Sequence, residues 1–424
     1  MSRTATRSTF AQWLGTLPTS WQISRPKVLF SERRTASHEN DVHLTPSQTY
    51  GVLPQTAYME ITGNRVVLNL QGADAMKHVE PDDFVIHLRS FQGGVEHSGI
   101  AGKVSVAYTV LTPREGVEPR FFRWVLKSQG YVQSLQATVN QLRDGQSIKY
   151  GDFDKVPLPL PPLEDQRAIA DFLDKQTSRI DLLIDKQAQL VVTLRERRSA
   201  VITRAVTFGL RDSELSPVRS SRLPGLPDGW TDRPIKAFLR SVDSQRIPLS
   251  GEERALRQGE YPYYGASGAI DGVNSYIFDE PLVLVSEDGA NLVRRTTPIA
   301  FETVGKVWVN NHAHALVPRD RTSARFWALR IDSIDIFDLV TGSAQPKFTA
   351  DALMNMRISA PEIVAEREEI VAYLDEQTAR IDAVISKTEE HIALARERRM
   401  ALITAAVTGQ IEGWTADRVT RGVA

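Results

Sequence analysis

Residues 163–207 read LEDQRAIADFLDKQTSRIDLLIDKQAQLVVTLRERRSAVITRAVT, and residues 364–408 read VAEREEIVAYLDEQTARIDAVISKTEEHIALARERRMALITAAVT, the same stretch 201 positions later. Leu173, Gln176, Thr177, Arg179, Ile180 and Asp181 return as Leu374, Gln377, Thr378, Arg380, Ile381 and Asp382. Arg195-Glu196-Arg197-Arg198 returns as Arg396-Glu397-Arg398-Arg399. Both copies keep a seven-residue beat. Leu173, Ile180, Gln187, Leu194 and Val201 fill one slot, matched by Leu374, Ile381, Thr388, Ala395 and Leu402. Ile184 and Val191, with Ile385 and Ile392, supply the second slot. Sustained heptads bury a narrow seam against another helix, so the spacing predicts two long helices joined as a coiled coil. Gln187 and Thr388 place a polar group in the middle layer, where it can fix register.

Charge and connectivity predict the direction of pairing. The first halves are acidic (Asp171, Asp174, Asp181, Asp185; Glu366, Glu368, Glu369, Asp375, Asp382), and the last halves carry Arg195, Arg197, Arg198 and Arg396, Arg398, Arg399. Opposite signs face each other only if the helices run antiparallel. The segment between the helices must also reach from the end of one to the start of the other. Antiparallel pairing sets those points side by side; parallel pairing would demand a span of roughly 60 Å.

The repeat extends outward from the helices. Leu17-Pro18-Thr19-Ser20-Trp21 matches Leu226-Pro227-Asp228-Gly229-Trp230, and Gly102-Lys103-Val104 matches Gly305-Lys306-Val307. A period near 200 residues is too long for a solenoid and describes a duplicated two-part unit. Between the anchors the two globular segments differ in sequence, as expected for one scaffold carrying two specificities. Phe84 to Leu88, Val104 to Leu111, Leu282 to Val285 and Val307 to Val309 read as strands; Phe121 to Ser128 and Ala324 to Arg330 read as short helices. Ser216 to Asp228, rich in Pro, Ser and Gly, reads as a linker. The expected fold is therefore two α/β (α+β) domains, separated by two long helices in an antiparallel coiled coil, with approximate two-fold internal symmetry. The boundaries are a first domain over 1–162, a helix over 163–210, a linker over 211–229, a second domain over 230–361, a helix over 362–409 and a tail over 410–424.

Composition narrows the class. Of 424 residues, 42% are hydrophobic and 24% charged, and none is cysteine, which excludes disulfides and thiolate zinc sites. No apolar run is long enough for a bilayer and the first residues lack a signal-peptide core, so a cytoplasmic location is the default expectation. Net charge is −1 overall, running from +3 over residues 1–162 to −4 over residues 362–424. Any field that attracts nucleic acid must come from local clustering.

The frame resembles the specificity subunits of type I restriction–modification systems, over essentially the whole chain. The run Pro157-Leu158-Pro159-Leu160-Pro161-Pro162-Leu163-Glu164-Asp165-Gln166 resembles that family's entry into its long helix, and Arg195-Glu196-Arg197-Arg198 with Ala205-Val206-Thr207 resembles its exit. Gly259 to Gly268 (GEYPYYGASG), Ser286-Glu287-Asp288-Gly289-Ala290 and Asn310-Asn311-His312-Ala313 resemble frame positions of its target-recognition domains. The second copy departs from the entry pattern, with Ala360-Pro361-Glu362-Ile363 in place of the double proline and Arg367 in place of Gln166. The resemblance implies a reader of double-stranded DNA without chemistry of its own. Each domain would read half of a bipartite site, and the helices would set the gap between halves. Two modification (methyltransferase) subunits would bring S-adenosylmethionine, and restriction subunits would bring ATP-driven translocation and cleavage; no cofactor would be bound by this chain.

The residues agree with a non-catalytic role. There is no Gly-x-Gly-x-x-Gly fingerprint, Gly305-Lys306 lacks the upstream glycine of a P-loop, and no Asn-Pro-Pro-Tyr type methyltransferase signature occurs. His312-Ala313-His314 could share a strand face as a metal pair, but no third ligand suggests itself; a histidine at a strand edge or facing DNA is the better reading. Base readout needs Arg, Lys, Asn, Gln or Ser on exposed loops. The candidates are Arg33, Arg34, Arg89, Ser90, Gln92, Arg143 and Lys149 in the first domain, and Tyr263, Tyr264, Ser267, Arg294, Arg295, Asn310, Asn311 and Lys347 in the second. Packing and turn formation compete with contact for the tyrosines. A two-ended protein adaptor built on a coiled-coil spacer is the alternative function.

Overall fold

Neither long helix contains a glycine or proline, and in the computed structural model both are unbroken, over Leu163–Phe208 and Val364–Val407. The structure describes residues 9–65, 76–86, 94–138, 148–211, 214–217, 224–320, 324–342 and 344–411. Acidic side chains (Glu164 and Asp165; Glu366) occupy the first turns, where the helix dipole favours them. Each helix stops at a glycine in the left-handed region, Gly209 (φ 74°) and Gly409 (φ 67°), a conformation that other residues adopt only with strain.

The chain divides into two units whose boundary falls within both helices. Unit one holds residues 1–187 and 390–424; unit two holds residues 188–389. Each therefore contains one globular domain, part of one long helix and the complementary part of the other. In unit two, Arg198 pairs with Asp382 at 2.8 Å and Arg195 pairs with Glu389 at 2.7 Å. Partner numbers rise on one helix as they fall on the other, which is the signature of antiparallel pairing. In unit one, Arg399 meets Asp181 at 2.8 Å in the same sense. The heptad seam is the buried one: Leu173, Thr177, Val191 and Ala205 on the first helix, and Leu374, Thr378, Ile385, Thr388, Ile392 and Ala406 on the second. The threonines tolerate burial because their hydroxyls donate to carbonyls four residues back, Leu173 and Leu374 among them at 2.6 and 2.7 Å. Thr388 does the same with Val384, whereas Gln187 Oε1 is buried without a hydrogen bond.

The two domains share one strand plan despite their unlike sequences. The first contains β1 (Gln22–Ser24), β2 (Phe30–Glu32), β3 (Leu44–Ser47), β4 (Gly51–Pro54), β5 (Lys77–Val79), β6 (Phe84–Ile86), β7 (Val95–His97), β8 (Gly102–Val104), β9 (Thr109–Pro113) and β10 (Leu158–Leu160). The second contains β11 (Trp230–Pro234), β12 (Leu239–Ser241), β13 (Gln258–Gly265), β14 (Gly268–Val273), β15 (Phe278–Asp279), β16 (Leu282–Ser286), β17 (Ala300–Thr303), β18 (Lys306–Val309), β19 (Ala313–Pro318) and β20 (Arg357–Pro361). The main antiparallel sheet runs β2-β9-β6-β7 in one domain and β12-β19-β16-β17 in the other. A second layer is built on the hairpin β3-β4 in one domain and on β13-β14 in the other, where it is the four-stranded sheet β14-β13-β18-β15. In it, β13 lies parallel to β18, as the β3 end lies parallel to β8 through the His43–Lys103 bridge. Each domain is closed by an antiparallel clasp, β1 with β10 and β11 with β20, whose second strand leads directly into a long helix. The expected strand Val104 to Leu111 is two strands. The chain turns at Ser105, whose carbonyl accepts the Tyr108 amide at 3.0 Å, before β9 begins.

Packing against the helices also repeats. In unit one, Phe30 meets Phe84, Phe122 and Phe153 edge-on at 5.4–5.8 Å, and this core continues into Ile169, Ala170 and Leu173 and into Ile403, Ala406 and Val407. In unit two, the core around Trp327 and Phe326 continues into Ala205 and Val206 and into Ile370 and Leu374. At the departure noted in the entry motif, the two copies solve one problem differently. Gln166 is buried, accepts the Glu118 amide at 2.9 Å and donates to the carbonyls of Gly116 and Pro161. Arg367 is buried too, but it pairs with Asp320 at 2.7 Å and stacks on Trp327 at 5.1 Å.

The glycine caps differ in what surrounds them. A Cβ on Gly409 would come within 2.5 Å of the Pro18 ring, whereas one on Gly209 would sit 3.4 Å from Trp230. Both Gly→Ala changes carry the left-handed cost of about 1–2 kcal/mol, and Gly409→Ala adds an overlap with a ring that cannot rotate away. Thermal melts are expected to show the larger loss for Gly409→Ala; equal losses would refute this packing.

Candidate nucleic-acid interface

In the second domain, the hub of the exposed polar edge is Ser286-Glu287-Asp288 at the end of β16. The Ser286 hydroxyl donates to the Ala266 carbonyl, tying the hub to the β13–β14 turn that carries exposed Ser267. The Glu287 amide donates to the His312 carbonyl at 2.9 Å, tying it to the β18–β19 turn that carries exposed Asn311. The Phe348 amide donates to the Glu287 carbonyl at 2.8 Å, and the Gly289 amide to the Pro346 carbonyl at 3.0 Å, which brings in Lys347. Three chain segments distant in sequence, gathered on the Ser286-Glu287-Asp288 hub, thus present Ser267, Asn311 with His312, and Lys347.

Beneath that edge lies a satisfied charge network. Glu287 accepts from Arg246 at 2.8 Å and meets Lys347 at 3.3 Å, and Arg246 also donates to the Ala313 carbonyl at 2.6 Å. His314 is buried, with Nδ1 at 2.7 Å from Asp243 and Nε2 at 2.9 Å from the Phe348 carbonyl. Burial pushes the Asp243 carboxyl upward, but its bonds to His314 and to the Ala315 amide outweigh burial and hold it below the usual carboxylate range. Glu287 follows the same pattern, burial being outweighed by Arg246, His314 and Lys347. His312 and His314 do not form a metal pair: His312 stands in the turn before β19 and turns to Asp288, while His314 points into the core. Among the described residues, no group of three His, Asp or Glu side chains could hold a metal ion.

Other candidates are placed elsewhere. Tyr263 is buried, its hydroxyl accepting the Leu249 amide at 2.9 Å, and so is unavailable to a ligand. Tyr264 is half-buried and stacks on Phe301 at 5.9 Å, and burial pushes its hydroxyl pKa up. Asn310 is buried and caps the turn, accepting the His312 amide at 2.8 Å. Arg294 is exposed at the end of the short helix Asn291–Arg294, whereas Arg295 folds back onto the Asp332 carbonyl. In the first domain Arg33 is held by both oxygens of buried Asp83, at 2.6 and 3.1 Å, as a structural pair. Arg34 is exposed beside Glu32 at 3.0 Å, and Lys149 is exposed ahead of the turn Tyr150–Phe153. Arg89, Ser90, Gln92 and Arg143 lie outside the described residues.

One feature escaped the sequence reading. A cleft of about 1040 Å³ in unit one is lined by Tyr50, Glu96, Arg123, Trp124, Lys127 and Arg399, among others. Two guanidiniums lie over the Trp124 ring, Arg123 at 5.0 Å and Arg399 at 5.7 Å, and its indole N–H donates to Asp174 at 2.8 Å. Arg120 pairs with Asp171 at 2.7 Å and reaches Asp174 at 3.8 Å, and Arg325 pairs with Asp375 at 2.6 Å in the other unit. The shared Arg-Phe-aromatic start of the two helices Pro119–Lys127 and Ala324–Asp332 was the available signal.

Burial raises the Glu96 carboxyl to about 7 despite its bond to Lys127. A carboxyl raised on folding contributes stability that is present below its unfolded pKa and lost as pH rises through about 7. The melting difference between Glu96→Gln and the parent chain is therefore expected to move in favour of the variant from pH 5 to pH 8. A difference flat with pH would contradict this environment.

Comparison with known proteins follows from this geometry. A family model described as the type I restriction modification DNA specificity domain matches residues 58–191 and 227–393, well over half of the chain. A putative type I restriction enzyme specificity subunit of Haemophilus influenzae is 30% identical over 148 residues, 35% of this chain and 37% of that protein. The match thus spans little more than a third of that curated relative. Among solved structures, a chain from work on complex assembly and conformational transition of the type I R-M system superposes with a TM-score of 0.72, at 15% identity, covering 93% of this chain and 100% of the other. The HsdS subunit from Thermoanaerobacter tengcongensis superposes at 0.55 with 18% identity, covering 93% and 98%. At such identities these two likenesses establish the fold.

Proposed function

Because the chain belongs to the type I restriction modification DNA specificity family, we propose that it reads a bipartite site in double-stranded DNA, one half per domain, and performs no chemistry itself. The observation that carries this reading is the repeated strand plan with unlike residues at equivalent turns. Where the first domain has Gln48-Thr49-Tyr50 between β3 and β4, the second has Ala266-Ser267 between β13 and β14; where the first has Ser105 to Tyr108 before β9, the second has Asn310-Asn311-His312 before β19. A fixed scaffold with exchanged tips is what two different half-sites require.

The long helices serve as ruler and dock. Leu182, Leu183, Leu190 and Val192 on the first, and Val384, Leu394 and Met400 on the second, leave apolar side chains exposed outside the seam. Such faces suit two methyltransferase subunits, which supply S-adenosylmethionine, with ATP used by restriction subunits. Among the described residues no helix is long and apolar enough to cross a membrane. The test is DNA binding by the full chain reconstituted with its methyltransferase. Strong preference for one bipartite sequence over scrambled DNA, against weak and salt-sensitive binding by the chain alone, is the expected outcome. Absence of any preferred sequence in the complex would defeat the proposal and favour a protein adaptor.

A further inference from the structure

His312 is an exposed histidine of the polar edge whose ring is oriented by a carboxylate. Its Nδ1 lies 2.9 and 3.0 Å from the two oxygens of Asp288, and about half of its side chain is exposed (51%). The backbone beneath it is pinned on both sides: the amide donates to buried Asn310 Oδ1 at 2.8 Å, and the carbonyl accepts the Glu287 amide at 2.9 Å. Asn310 is itself held by its amide on the Tyr264 carbonyl at 3.1 Å. The ring is thus presented in a fixed direction before any ligand arrives, which removes an ordering cost from binding.

An ionised carboxylate only accepts hydrogen bonds. In the neutral ring the proton therefore resides on Nδ1, facing Asp288, and Nε2 is left as a fixed acceptor. In the major groove the donors are the exocyclic amino groups, N6 of adenine and N4 of cytosine; guanine and thymine offer only acceptors there apart from the thymine methyl. Neighbouring Asn311 and Ser267 are exposed and can accept or donate, and Lys347 beside Asp288 can face a phosphate. We propose that His312 is a specificity-determining residue of the second domain, selecting an amino-bearing base, adenine or cytosine, through Nε2. Asp288 is its positioning residue, because it sets the tautomer. This rests on the functional reading above and deepens it.

The experiment uses the full chain reconstituted with its methyltransferase subunits, on its mapped site, at pH 8. Each adenine of the second-domain half-site is replaced in turn by purine, and each cytosine by 2-pyrimidinone, which lack the amino group. With the parent chain, one replacement is expected to weaken binding roughly 10- to 100-fold; whether it is a purine or a pyrimidinone names the base. With His312→Ala that same replacement should change binding less than about 2-fold, while the first-domain half-site is still discriminated. Asp288→Asn can donate to Nδ1 and so return the proton to Nε2; it should abolish the preference at the same position without loss of folding. The inference is overturned if His312→Ala binds as the parent does, if the coupling appears at no amino-bearing base, or if Asp288→Asn leaves the preference intact. A parent complex with no sequence preference at all would instead remove the functional reading, and this inference with it.

Discussion

A chain whose residues 1–160 are exchanged for the equivalent segment of another family member is expected to recognise a new sequence on one side of its site and the old one on the other. The cut after Leu160 keeps the β1–β10 clasp within the exchanged piece, so the first domain arrives with its closing strands intact. What must match at the junction lies on both helices, since the core also packs on Ile403, Ala406 and Val407. Gln166 binds backbone at Glu118 and Gly116, Asp174 receives Arg123 and Trp124, and Ile169, Ala170 and Leu173 accept the aromatic core. A donor that keeps an arginine and aromatics at the start of the helix Pro119–Lys127 should dock. Each wrong base pair costs about 1–3 kcal/mol, so a new half-site of several pairs changes preference by orders of magnitude. Mapping of methylated adenines in cells checks this; a change in both halves, or in neither, would refute independent reading by each domain.

Trp327→Ala is expected to give the largest loss of stability, confined to unit two. The ring is buried against Phe238 at 4.8 Å and Phe326 at 5.2 Å, and it carries the Arg367 guanidinium at 5.1 Å. Truncating a buried tryptophan costs about 3–5 kcal/mol, and here it also strips the stacking partner from a buried cation that pairs with Asp320. For a unit of this size the melting midpoint should fall by roughly 10 °C. Arg367→Gln, which installs the residue found at position 166, should cost less because the aromatic core remains. A fall of under 2 °C for Trp327→Ala would mean that this core does not hold the domain to its helices.

The long helices were legible because their information is local. A seven-residue beat needs no knowledge of distant residues, and the acidic first halves and basic last halves encode the direction that Asp181–Arg399 and Asp382–Arg198 display. The domains were legible only in outline. Strands of three to six residues carry no record of their partners, so the common order of the two main sheets could not be read, and the turn at Ser105 to Tyr108 looked like continuous strand.

The site was read in part for the same reason. Ser286-Glu287-Asp288 and Asn310-Asn311-His312 were visible as frame motifs, but their meeting through Glu287 and His312 is a tertiary event. Arg33 looked free because its partner Asp83 lies 50 positions away, and for Tyr263, where packing competed with contact, the Leu249 amide decides for packing. Alternation along a strand suggested that His312 and His314 share a face; the turn before β19 separates them.

The central proposal is that the paired helices of this duplicated chain set the gap between the two half-sequences that its domains read. Inserting one heptad into each long helix, at matching positions in the seam, lengthens the pair by about 10 Å at 1.5 Å per residue, or roughly 3 base pairs at 3.4 Å each. Mapping the methylated site of that variant should return both half-sequences unchanged with the gap between them widened by about that amount. Both halves recognised at the original gap would contradict the account.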